Sequence, residues 1–225
     1  PSNPTGGVWS NKAIQQTLEI ALEHDLWVFS DECYEQLTYD KPFTSIETIA
    51  DKKAKILTFQ SCSKTYAMTG WRIGYTIGNE QIIKAMGKLQ GQSTSCPNSI
   101  AQYAAIEALI GKQDFVKQIR RIFKKRRNLI VSLLTNISDI SCKMPEGAFY
   151  VFPNFDNYIG KKYNNKLINS ASDLSMLLLN ETNVVSVAGE SFGAPNNIRL
   201  SYAVSETDIK RAIKKVDSIL KKVYE

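Results

Sequence analysis

Three short apolar runs constrain this chain most: Leu26-Trp27-Val28-Phe29-Ser30-Asp31, Lys55-Ile56-Leu57-Thr58-Phe59-Gln60 and Ile73-Gly74-Tyr75-Thr76-Ile77-Gly78. Each is short, rich in branched and aromatic residues, and reads as a strand. Helical stretches surround them. Residues 11–24 put Ile14, Leu18, Ala21 and Leu22 on one face, with Ser10 as N-cap. After the third run come a helical stretch over 80–89 and another opened by Pro97, carrying Ile100, Ala104, Ala105 and Leu109. This alternation predicts an α/β layered domain. A long helix is expected over 115–135, then a turn at Pro145-Glu146-Gly147 into a strand over 148–152. A polar loop over 161–169, a helix over 173–180, strands over 184–187 and 197–202, and a helix over 206–224 make a smaller α+β domain. The expected division is 1–114 and 115–225.

Between the second and third runs lies Ser61-Cys62-Ser63-Lys64-Thr65-Tyr66. Most lysines here sit among other charges, whereas Lys64 has small, hydroxyl-bearing neighbours. Such a lysine is a candidate nucleophile toward a carbonyl. The nearby hydroxyls and Arg72 are suited to a phosphate. Together they point to pyridoxal 5'-phosphate (PLP), carried by Lys64 as a Schiff base. That cofactor needs partners, and the chain offers each. Asp31, at the carboxyl end of the first strand, suits the pyridine nitrogen. Tyr34, three residues on, and Asn3, in the turn-forming Asn3-Pro4-Thr5-Gly6, are donors for the phenolic oxygen. Five of the seven arginines lie in basic helical stretches. Arg72 and Arg199 instead sit between apolar neighbours, where an unpaired charge is costly, so each is expected to face an anion. His24, far along the chain from these motifs, is not a catalytic candidate. Cys33 and Cys62 read as packing residues, since no base is paired with them.

Asn-Pro-x-Gly at 3–6, Asp-x-x-Tyr at 31–34, Ser-x-Ser-Lys at 61–64, Gly-Trp-Arg-Ile-Gly at 70–74 and the late Arg199 resemble the class I/II aminotransferases, PLP enzymes of fold type I. Their order and spacing are most similar to the bacterial aspartate aminotransferase branch. The resemblance covers the whole chain and implies part of the PLP-binding large domain followed by a small C-terminal domain. It implies that Ser61 and Arg72 bind the cofactor phosphate, and that Arg199, with Asn3, binds the substrate's carboxylate. It also implies transamination between an L-amino acid, aspartate foremost, and a 2-oxo acid such as 2-oxoglutarate, in a homodimer. The motif order further implies a C-terminal portion, with the glycine-containing phosphate loop and the side-chain pocket outside this sequence. An inactive truncated chain is one alternative. Another is a different fold-type I enzyme (an aromatic or alanine aminotransferase, or a C–S lyase). A third is an aminotransferase-like effector domain of a transcription regulator.

Composition narrows the rest. With 225 residues and 43% hydrophobic content, the chain can bury a sizeable core. No apolar run approaches the roughly 20 residues that span a bilayer. Four cysteines without close pairing and one histidine offer no metal site and fit a reduced, cytoplasmic setting. The net charge of +6 is concentrated in residues 117–127 and the last helix. There Val116, Ile119, Phe123 and Ile130 fall at helical spacing, so the bases read as a solvated face rather than a nucleic-acid surface.

Overall fold

The computed structural model describes residues 1–224. They divide into two compact units, one of Pro1 and residues 8–120, the other of residues 2–7 and 121–224. The division falls inside the long helix α5 (Asp114–Thr135), after Arg120 rather than at the expected 114/115 boundary, and residues 2–7 join the second unit. Among the described residues, no helix is long and apolar enough to cross a membrane.

In the first unit, α1 (Asn11–Glu23) starts at Ser10, whose hydroxyl accepts from the Ala13 N–H at 3.2 Å. Its apolar face packs Ile14 and Leu18 against Ile46 and Ile56. β1 (Trp27–Asp31) pairs in parallel with β2 (Lys55–Ser61), which pairs antiparallel with β3 (Gly74–Gly78). β2 is the central strand and buries Ile56, Leu57 and Thr58. β1 and β3 are edges, and Phe29 on β1 is 67% exposed. A single turn, α2 (Cys62–Thr65), follows β2 directly. α3 (Glu80–Ser93) buries no residue, and α4 (Ser99–Ile110) buries only Ala101 and Ala105. Asn98 caps α4, so Pro97 precedes the cap rather than opening the helix.

The second unit has a three-stranded antiparallel sheet. β8 (Ile198–Ser201) lies between β4 (Tyr150–Val151) and β7 (Val187–Ala188). The strand expected over 148–152 is shorter: it starts only after Ala148, which takes a φ of 58°, and ends at Val151. The expected loop over 161–169 is in part a hairpin, β5 (Lys162–Tyr163) and β6 (Lys166–Leu167). Asn164 and Asn165 both have positive φ, the turn that suits a two-residue hairpin. α6 (Ala171–Thr182) and α7 (Glu206–Leu220) pack together and bury Leu174, Leu178, Ile209, Ile213 and Val216. The basic stretch is not wholly a solvated face. Arg127 is only 3% exposed and donates from Nη1 to the Pro145 carbonyl at 2.9 Å. Arg120, half-buried, donates to the Thr38 carbonyl at 3.1 Å.

Candidate functional site

The parallel pairing of β1 and β2 decides what the first unit can present. Asp31 sits opposite Phe59 in the register, so β1 and β2 end near each other and point the same way. Ligands of open α/β sheets bind at such carboxyl ends. Ser61 closes β2 and caps α2, its hydroxyl accepting from the Ser63 N–H at 3.1 Å. Lys64, half-buried, lies in that turn. Tyr34 is 6% exposed, and Lys64 Nζ stands 5.9 Å from the centroid of its ring. Asp31 is exposed, and its Oδ1 accepts from the Cys33 N–H at 3.2 Å. Cys33 reports on both charged neighbours. Burial first, then a hydrogen bond and the charge of Asp31, push its thiol up to about 12, while the charge of Lys64 opposes them. At neutral pH it is a protonated thiol, which fits packing rather than nucleophilic attack.

Glu32 is an anchor that the sequence reading missed. It is 2% exposed. Its Oε1 accepts from the Ser30 and Ser45 hydroxyls and the Ile46 N–H, each at 3.1 Å. Its Oε2 accepts from Gln60 Nε2 at 3.3 Å. One carboxylate thus ties the end of β1, the connection after it and the end of β2, which fixes the Asp31–Tyr34 turn. Strand alternation carried the signal, since neighbours in a strand face opposite sides and Glu32 must turn away from Asp31.

Arg72 corrects the expectation drawn from its neighbours in sequence. It is exposed, with a φ of 51°, and its Nη1 donates to the Thr69 carbonyl at 3.0 Å. Trp71 beside it is 45% exposed, so within this chain no apolar surround forces an anion upon Arg72.

The second unit holds Asn3 and Arg199. Arg199 Nη1 donates to Asn3 Oδ1 at 2.8 Å. The turn carrying Asn3 is stitched to residues 145–147. The Glu146 and Gly147 N–H groups both donate to the Gly6 carbonyl, at 3.0 and 2.8 Å. Gly6 has a φ of 67°, and a Cβ there would lie 2.5 Å from that of Pro145, so no other residue fits without a shift. Arg199 is half-buried on β8, the central strand of its sheet.

Ion pairs among the described residues include Lys55 with Asp25 and Lys125 with Glu206. Among the described residues no basic side chain pairs with Asp31, and no acidic one with Arg72 or Arg199. In the first unit, the carboxylate of Asp31, the amine of Lys64 beside the Tyr34 ring and the exposed guanidinium of Arg72 are groups of the kind PLP requires; in the second unit, Arg199 is a group of the kind a carboxylate requires. No group of three or more metal-ligating side chains occurs among the described residues.

Residues 1–216 match the family described as aminotransferase class I and II. A probable aspartate/prephenate aminotransferase of Rhizobium leguminosarum bv. phaseoli is 43% identical over 220 residues, 96% of this chain and 55% of the relative. An asparagine–oxo-acid transaminase of Streptococcus mutans is 42% identical over 99% of this chain and 56% of the relative. The crystal structure of the aspartate aminotransferase from Rhizobium meliloti superposes with a TM-score of 0.94 at 39% identity, covering all of this chain and 57% of that one. The chain therefore spans little more than half the length of the relatives it matches.

Proposed function

Since the chain belongs to the class I and II aminotransferases and carries part of their fold-type I architecture, we propose that it serves PLP-dependent transfer of an amino group from an L-amino acid to a 2-oxo acid. The observation that carries this reading is Lys64 at the exit of β2, its Nζ 5.9 Å from the Tyr34 ring, beside the strand that ends in the carboxylate of Asp31. Bound PLP supplies an electrophilic carbon for an amine and an electron sink for charge left on a substrate's α-carbon. With PLP bound, Lys64 Nζ would be the amine that holds it, and the free amine would be the base for the substrate α-carbon proton. Asp31 would keep the ring nitrogen protonated, a charge set in place before the reaction begins. Tyr34 Oη and Asn3 Nδ2 would be donors for the phenolic oxygen. Ser61 Oγ and Arg72 would bind the phosphate. Arg199 binds the substrate's α-carboxylate and orients it, with Asn3 as its neighbour.

Aspartate is the proposed donor, supported by the relatives' names, and 2-oxoglutarate is the proposed acceptor. An asparagine donor is the second reading, because the relative named for it is nearly as similar. A homodimer belongs to the same proposal, supported by the exposed apolar side chains of α4. The test is amino transfer to 2-oxoglutarate from aspartate and asparagine in turn, with and without Lys64→Ala. Transfer by the unsubstituted protein and none by the variant is expected. Transfer that survives Lys64→Ala, or none from any amino acid with PLP present, contradicts the proposal.

A further inference from the structure

Arg199 is held by more than Asn3. β4 and β8 pair antiparallel with Tyr150 opposite Ser201. Residues opposite each other share a face of the sheet, and so do residues two apart on one strand. Arg199 therefore stands on the face that carries Tyr150, diagonally across from it. The turn after β7 brings up Phe192. The guanidinium carbon lies 4.6 Å from the centroid of the Tyr150 ring and 5.4 Å from that of Phe192. Both are inside the roughly 6 Å at which a cation is drawn to a ring face. The two rings are themselves wedged. Phe149 lies 4.7 Å from Tyr150, and Phe152 meets Phe192 edge-on at 5.9 Å, between centroids. The guanidinium thus has two aromatic contacts and one donor, on Nη1, committed to Asn3.

We propose that Tyr150 and Phe192 are positioning residues for Arg199. Their rings hold the guanidinium plane, so that the donors not given to Asn3 meet a substrate carboxylate ready-oriented. An arginine without such support loses rotamer freedom each time it binds, which weakens binding. The inference rests on the reading of Arg199 as the carboxylate-binding residue. It adds that affinity for a carboxylate depends on the two rings.

The test compares Phe192→Leu and Tyr150→Leu with the ring-keeping Phe192→Tyr and Tyr150→Phe in the PLP-loaded protein, with succinate as probe. Each leucine variant is expected to bind succinate about five- to tenfold more weakly. Each ring-keeping variant is expected to stay within about twofold of the unsubstituted protein, because the contact is to a ring face. The Michaelis constant for the amino acid should rise with kcat unchanged, and the Lys64–PLP link should persist. A second readout needs no activity: the Arg199 Nε–H resonance, shifted by the ring currents, should move on Phe192→Leu. Should Tyr150→Leu not fold, Phe192→Leu carries the test, since Phe192 is only half-buried. Leucine variants that bind succinate as the unsubstituted protein does, while Arg199→Gln does not, overturn the role of the rings alone. Succinate binding that survives Arg199→Gln, or is absent from the unsubstituted protein, overturns the reading of Arg199 and the inference with it. Loss of the Lys64–PLP link in the unsubstituted protein overturns the proposed function.

Discussion

Helices α4 and α6 are each twelve residues long, and they meet water differently. α6 buries Ala171, Leu174, Leu178 and Thr182. α4 buries two alanines and leaves Ile100, Tyr103, Ile106, Leu109 and Ile110 exposed, Tyr103 by 76%. A helix that is apolar on all sides belongs in an interior. The same contrast runs through both units. Of the twelve largest fully buried side chains, all but Leu37 and Thr58 lie in the second unit. The second unit closes its own core. The first has two open sheet edges and an apolar helix face, the surface of a domain built to be covered. The candidate residues divide along the same line: Asp31, Tyr34, Ser61, Lys64 and Arg72 lie in the first unit, Asn3 and Arg199 in the second.

The largest effect that can break this comparison is in the cores. Leu174→Ala or Leu178→Ala should cost about 2–5 kcal/mol in urea unfolding, as for a large-to-small change at a closed site. Ile106→Ala on α4 should stay within about 0.5 kcal/mol. Equal losses would mean that the first unit is as well packed as the second. Next comes Gly6→Ala, which sets a side chain at a φ of 67° against Pro145. It should destabilise by more than about 1 kcal/mol and release the Asn3 turn, read as a changed Arg199 side-chain resonance. The same change at Gly87, on exposed α3 with open space around it, should stabilise slightly.

A pH dependence shared by the units sharpens the comparison further. The thiol of Cys33 is pushed up to about 12 and that of Cys142 to about 11, burial being the main cause of each. A thiol raised in the folded state favours folding fully below the unfolded value of 9.0, and that contribution is lost as pH climbs through the folded values. Stability should therefore fall between about pH 9 and 12, and Cys33→Ser should flatten the upper part of that fall. Alkylation at pH 8 checks the same point, with exposed Cys96 reacting well before Cys33 or Cys142.

The elements of the first unit were legible because local rules agree there. Ser10 caps α1, and the three apolar runs become β1, β2 and β3 within a residue at either end. Where local rules compete, sequence pattern and structure part. Residues 161–169 are polar, yet Asn164-Asn165 is hairpin-turn chemistry that outweighs polarity. Arg127 belongs to a basic run, yet a carbonyl of the following turn draws it inward. Arg72 has apolar neighbours along the chain, whereas its exposure is set by neighbours in space. Glu32 was readable from strand alternation. Tyr150 and Phe192 were not, because only the β4–β8 register and the turn after β7 bring them to Arg199.

The central claim is that Lys64 is the residue that takes PLP. The most direct measurement is the intact mass of the protein after incubation with PLP and reduction with borohydride, followed by peptide mapping. One reduced pyridoxyl-phosphate group, mapped to Lys64 and absent from Lys64→Ala, is the expected result. A protein that gains no such group, or gains it on another lysine while Lys64 stays unmodified, contradicts the account.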